Sequence, residues 1–340
     1  MKRFRTECWT KVRERLLVLA MGMVVAGGLL YSIPSLMMLP KLFVPNLIQK
    51  NLFTSDDWLG HKFNRNVTER IHLEGRADVI QTTDDFGRRT TVQPPGNDYH
   101  SFAVFAPDSM LFGVNVNDDQ TVASRFAHLT ASQKIKSYNY AVSGYGPNHF
   151  LALVTDPRFQ QGIPEKRGFV VYSFIDLHIE RAACWPFIFK VSPHTRLPRY
   201  VIAADGSVQR AGMARAKDVP YGLPATIRSF NTASTWLGPY SDPNRTLTAR
   251  LLGQAKKELE KRFELQGFFV IFLNGSDSAE KMTALLEPMG IHCLDYRPVV
   301  KGWCGEELCL QKENAHPSVS GNRAIAGQLV QDLRRFGVLQ

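Results

Sequence analysis

The sequence predicts a three-layer α/β/α domain built on about five parallel strands, and three observations carry that expectation. From residue 101 onward, short apolar runs alternate with helix-like segments. Runs such as SFAVFA (101–106) and FVVYSF (169–174) are apolar nearly throughout, as strands covered on both faces require. A chain of 340 residues with 44% hydrophobic and 21% charged side chains can also bury a sizeable core without staples.

Taken in order, residues 45–75 are polar and amphipathic and read as a linker with a first helix. Residues 79–100 are rich in strand formers separated by the turn signals Asp-Asp-Phe-Gly and Pro-Pro-Gly. The main pattern follows: strand 102–106, helix about 120–131, strand 137–141, strand 168–174, helix about 245–263, strand 267–273, helix 278–288, strand 291–295 and a last helix about 320–335. About 70 residues separate the third of these strands from the helix at 245, too many for a plain crossover. We read the aromatic, proline-rich stretch of about 184–243 as an insertion near the carboxyl ends of the strands, with a hairpin at VIAADGSVQRAG (201–212).

The N-terminus has a different character. Residues 1–15 carry Lys2, Arg3, Arg5, Lys11, Arg13 and Arg15, and an uncharged run then extends to Pro40. Such a run exceeds the roughly 20 residues that cross a bilayer, and its basic flank places the N-terminus in the cytoplasm. The expected organisation is a cytoplasmic tail (1–15), a single membrane anchor (16–39), a linker and N-terminal extension (40–99), and a domain at 100–338 outside the cytoplasm. A cleaved signal peptide is the rival reading. Away from the tail the excess of positive charge is mild, and no basic, aromatic-studded groove points to nucleic acid.

Of the five cysteines, Cys184, Cys293, Cys304 and Cys309 lie on the expected exported side, where disulfides persist. Three pairings are open. Cys304–Cys309 would close a short loop, leaving Cys184–Cys293 as the longer bridge. No metal-ligand spacing stands out and no cofactor is expected.

Two segments can carry chemistry. In FAVFAPDSM, a strand ends at Pro107-Asp108-Ser109, which places a hydroxyl at the sheet rim where backbone N–H groups can converge on an anion. In KENAHPSVSGNRAIAGQL, Pro317 halts helix propagation and Ser318 or Ser320 can cap the last helix, so His316 sits in the preceding loop at the same rim. His316 can then serve as general base for Ser109, with Glu313 the nearest acid able to orient it.

The strand with Pro-Asp-Ser, the NYAVSGYGPNHF stretch (139–150) and the closing His-Pro-Ser-x-x-Gly-Asn-Arg together resemble the SGNH/GDSL hydrolases, in particular their exported, membrane-anchored bacterial members. The resemblance covers roughly residues 100–335. It implies a flavodoxin-like α/β/α fold, an inner-membrane protein with its domain on the periplasmic or extracellular side, and serine-based acyl chemistry at oxygen. Ser109 matches the family nucleophile, and its N–H and that of Gly144 match oxyanion donors. His316 matches the catalytic histidine, and Glu313 stands where the family usually has aspartate. Pro107 replaces a glycine, and the third block has Asp176, His178 and Arg181 in place of the usual asparagine. His178 is therefore the candidate third oxyanion donor, or else a buried histidine paired with Asp176 or Glu180. Asn148 and His149 either line the pocket or cap a following helix.

The expected activity is hydrolysis of an O-acyl ester through an acyl-enzyme on Ser109, with deacetylation of envelope carbohydrate as one form. Transfer of the acyl group to a polysaccharide hydroxyl is the alternative, as is a non-catalytic carbohydrate-binding module. An acylated small molecule or carbohydrate would be the substrate, the membrane a partner through the N-terminal helix, and protein partners are not named by the sequence.

Overall fold

The apolar runs form one five-stranded sheet, and the order of its strands fixes where a site can lie. The structure, a computed structural model, describes residues 52–72, 77–96, 98–185, 188–191, 196–215, 239–273, 278–302 and 316–340, all within the unit 49–340. Four short strands come first: β1 (Phe53–Asp56), β2 (Gly60–Phe63), β3 (Thr68–Ile71) and β4 (Val79–Thr82). They pair as two antiparallel hairpins, β1 with β2 and β3 with β4. Then follow β5 (Ser101–Ala106), α1 (Ser109–Phe112), α2 (Val122–Leu129), β6 (Ile135–Asn139), α3 (Pro147–Thr155), α4 (Pro157–Gln161), β7 (Arg167–Phe174) and α5 (Leu177–Ala182). After these come β8 (Arg196–Ile202), β9 (Val208–Arg215), α6 (Asp242–Glu260), β10 (Glu264–Phe272), α7 (Ser278–Leu286), β11 (His292–Asp295) and α8 (Val319–Arg335).

The central sheet has the order β11-β10-β7-β5-β6 and is parallel throughout. Numbered along the chain, that is 2-1-3-4-5, the doubly wound flavodoxin-like order. Alternate residues along each strand feed two apolar clusters. Phe105, Val171, Phe269 and Ile271 join Ile325 and Leu329 of α8 in one, whereas Val104, Tyr172 and Val270 join Phe150, Leu251 and Met282 in the other. The expected α/β/α layering and five parallel strands are therefore present, with helices burying both faces of the sheet.

The close spacing of β5 and β7 depends on Gly168, which pairs with Phe102. A Cβ at Gly168 would sit 2.3 Å from the Phe102 carbonyl oxygen and 2.5 Å from its ring. Gly168→Ala should therefore lower the urea midpoint by the equivalent of about 1–3 kcal/mol, the usual cost of overpacking a core. An unchanged midpoint would show that the strands can part here without penalty.

Several expectations need correction. Residues 45–75 contain strands where a first helix was expected. Asp56 Oδ1 accepts from the N–H groups of Trp58 (2.9 Å) and Leu59 (2.8 Å), closing a side-chain-capped turn that competes with helix and leads into the β1–β2 hairpin. Among the described residues no helix is long and apolar enough to cross a membrane. The anchor expected at 16–39 lies outside those residues, so the single-pass inner-membrane placement, the exported side of the domain and the membrane as partner are not carried forward. The Cys184–Cys293 bridge is also overturned, since both are free thiols. Cys184 packs with Ile188, Leu197 and Ala214, whereas Cys293 lies on edge strand β11 beside the other core, and burial raises each thiol to about 12. Cys304 and Cys309 lie outside the described residues. The expected hairpin is present as the antiparallel pair β8–β9, closed by Ala203–Ser207 backbone bonds.

Candidate active site

In a 2-1-3-4-5 sheet the order reverses between the first and third strands, here β5 and β7, and the crevice outside their carboxyl ends is where open α/β sheets bind ligands. The chain turns sharply at that point. β5 ends at Ala106, a cis peptide joins Ala106 to Pro107, and Asp108 caps α1, with Ser109 as its first residue. Asp108 Oδ1 accepts from the Met110 N–H (3.2 Å) and from Ser173 Oγ (2.5 Å), which β7 delivers from the neighbouring strand. Ser109 is half-buried at the start of this turn.

Asp108, the residue before Ser109, belongs to a buried polar chain. His178 Nε2 stands 3.1 Å from Asp108 Oδ2, and both side chains are fully buried. On the other edge of the ring, Nδ1 is 3.3 Å from the Tyr172 hydroxyl. Burial alone would raise the Asp108 carboxyl, but His178, Arg181 and Ser173 outweigh it and hold its pKa below the ordinary 3.8. Burial lowers the pKa of His178 despite the carboxylate beside it. The consistent assignment is a neutral ring with its proton on Nε2, facing the Asp108 carboxylate, and with Nδ1 accepting from Tyr172, whose phenol burial keeps protonated. Neither Asp176 nor Glu180 is the partner of His178. Asp176 occupies the N-cap position of α5 without a side-chain cap, and Glu180 accepts from the Tyr240 hydroxyl at 2.5 Å.

The second segment meets the first through the backbone. After β6 the chain runs Ala141-Val142-Ser143-Gly144, and the Val142 N–H donates to the Pro107 carbonyl at 2.8 Å. Asn139 adds a side-chain tie, with Nδ2 donating to the Leu111 carbonyl (2.9 Å) and Oδ1 accepting from the Ala141 N–H (3.1 Å). Gly144 has φ +89°, in the left-handed region where a Cβ is strained, so glycine is what lets the chain turn here. Arg181 Nη1 donates to the Tyr145 carbonyl at 2.7 Å and so fastens the turn to α5. Asn148 and His149 are both buried: Asn148 donates to the Pro198 carbonyl and His149 stacks on Tyr145.

His316 lies immediately before α8, half-buried, and Ser318 is the residue that caps the helix, accepting from the Gly321 N–H at 3.1 Å. Among the described residues no hydrogen bond joins Ser109 to His316. Glu313 lies outside the described residues. A cavity of about 80 Å³ opens near the β1–β2 hairpin, walled by Leu59, Phe63, Tyr140 and Phe159, but Ser109 does not line it. No group of three or more His, Cys, Asp or Glu able to hold a metal ion occurs among the described residues.

Sequence reasoning singled out Ser109, Gly144 and His178 but not Tyr172, Ser173, Asn139 or His61, which hold them. A signal existed for two of these: a serine inside the apolar run FVVYSF and an asparagine closing the strand before the glycine turn are polar residues where burial is otherwise complete.

No protein-family model matches the chain, and no curated protein matches it. Among solved structures, it is similar to a two-domain esterase active on acetylated mannans (9% identity, TM-score 0.40, 69% of this chain and 48% of that one). It is also similar to a lipase/acylhydrolase from Enterococcus faecalis (9%, 0.39, 71% and 97%). A salicylyl-acyltransferase from a tetracycline biosynthetic pathway is a third (12%, 0.37, 79% and 60%). The chain spans about half the length of the first of these. Hydrolase or acyltransferase activity is what these neighbours share. The resemblance to exported, membrane-anchored SGNH/GDSL hydrolases is corrected accordingly: with no matching family model and no membrane-crossing helix among the described residues, a distant likeness in fold is what remains.

Proposed function

We propose that the protein is a serine-dependent enzyme that hydrolyses an O-acyl ester or passes its acyl group to another hydroxyl. The observation that supports it best is the convergence at the β5–β7 reversal. Ser109 opens α1 directly after the buried carboxylate of Asp108, and the Val142 N–H, just before the Ser143–Gly144 turn, donates to the Pro107 carbonyl.

In this reading His316 takes the Ser109 hydroxyl proton as Oγ attacks the acyl carbonyl, and returns it to the departing alcohol oxygen. Water or a second hydroxyl then attacks the acyl-enzyme, with His316 again taking the proton, and Ser109 is released. Glu313 orients the imidazole. The Ser109 and Gly144 N–H groups receive the developing oxyanion; each well-aligned donor of this kind contributes roughly 2.7–4 kcal/mol to the transition state. His178, fully buried against Asp108, holds the turn beneath Ser109 in place of acting as a third donor. A hydrogen bond between Ser109 and His316 is expected to form only with substrate, since catalytic hydrogen bonds are often long or misaligned in empty sites.

Covalent labelling tests the reading. A fluorophosphonate should add one phosphonyl group, located by peptide mass spectrometry at Ser109, and Ser109→Ala should take up none. A folded protein that stays unlabelled, or labels equally after the substitution, would eliminate Ser109 as nucleophile.

A further inference from the structure

We infer that His61, from the N-terminal hairpin outside the α/β/α layers, is a positioning residue for the Gly144 oxyanion donor; the inference rests on the serine mechanism proposed above. His61 Nε2 lies 3.1 Å from the Ser143 carbonyl oxygen. A carbonyl only accepts, so Nε2 carries the proton and donates. The Ser143 carbonyl and the Gly144 N–H belong to one peptide unit. In a trans peptide they point in opposite directions, so a bond that fixes the carbonyl towards β2 turns the N–H away from β2. Donation to the carbonyl also polarises the amide and strengthens its N–H as a donor.

The arrangement is built to hold. Tyr145 Oη donates back to the His61 carbonyl at 2.6 Å, so the hairpin and the glycine turn grip each other through two bonds of opposite sense. His61 is 3% exposed, and its ring packs edge-on against Tyr145 (centroids 5.0 Å apart) and His149 (5.4 Å). Tyr145 and His149 are themselves stacked at 4.4 Å. With Val142 tied to Pro107 and Tyr145 to Arg181, every residue around Gly144 has one backbone group fixed, and His61 supplies the fixing bond on the peptide of Gly144 itself.

Steady-state hydrolysis of p-nitrophenyl acetate and fluorophosphonate labelling rates would be measured for wild type, His61→Phe, His61→Gln and Ser109→Ala, with folding checked by thermal melts. Phenylalanine keeps the ring but loses the donor; glutamine places an amide N–H near the Nε2 position. Expected is a fall of roughly 10–100-fold in kcat and in labelling rate for His61→Phe with KM within about threefold, since a whole oxyanion donor is typically worth 10²–10³. His61→Gln should recover most of that loss. Wild-type kcat in His61→Phe, or equal loss in both His61 variants, alongside an inactive Ser109→Ala, would overturn the role of His61 while leaving the serine mechanism standing. An active Ser109→Ala would remove both.

Discussion

Ester turnover in Ser109→Ala is expected to fall on the order of 10⁴-fold or more, to what binding and oxyanion donors can do without a nucleophile. The fold should survive, because Ser109 is half-buried and its hydroxyl makes no hydrogen bond among the described residues. His316→Ala should be comparably damaging: without a base, the hydroxyl attacks at its ordinary, weak nucleophilicity. The two losses should not add in the double variant, since nucleophile and base act as one unit. Initial rates with p-nitrophenyl acetate, paired with thermal melts, would check all three. Additive losses would mean that His316 acts on some step other than activation of Ser109.

The second large effect concerns stability. His178→Ala would leave the buried Asp108 carboxylate without its ring partner, and leaving a buried acceptor without its partner typically costs about 1–3 kcal/mol, more for a charged one. Urea unfolding at neutral pH reads this directly. The pH dependence gives an independent signature. Because the fold lowers the pKa of His178, the unfolded chain takes up more protons below the ordinary histidine value of 6.5. Stability is therefore full above 6.5 and declines as the pH falls through the depressed folded value. Asp108, also lowered, adds a further loss below its ordinary 3.8. Wild type should thus lose stability between pH 7 and 5.5, and His178→Phe should lose less over that interval. Identical slopes would show that another group carries the acid sensitivity.

The lowered histidine has a consequence for chemistry. A neutral His178 leaves Asp108 ionised, and an anion at the first turn of α1 keeps the Met110 N–H occupied by Asp108 instead of by substrate. In the serine mechanism proposed above, the backbone groups left for an oxyanion are Ser109 and the neighbouring glycine turn, so the bond from His61 to Ser143 should bear on rate and not only on folding.

Most of the architecture was legible in the sequence because parallel strands buried on both faces must be apolar almost throughout. Residues 102–106, 168–174 and 267–273 therefore announce themselves without any partner being known. Pro317 and Ser318 likewise determine where α8 begins and hence where His316 stands, because a proline block and a hydroxyl cap act within four residues. Contacts between distant segments were not legible. Nothing local tells which group a histidine at 178 meets; the fold brings its Nε2 within 3.1 Å of Asp108, 70 positions earlier. The same holds for His61, whose bond to Ser143 spans 82 positions, and for Cys184 and Cys293, which the fold places in separate apolar clusters. Hydrophobic pattern and capping are local and repeat along the chain, so sequence alone determined the layers and the start of the last helix. Partnership between buried polar groups depends on which strand ends the sheet order brings together, and only the tertiary structure settled it.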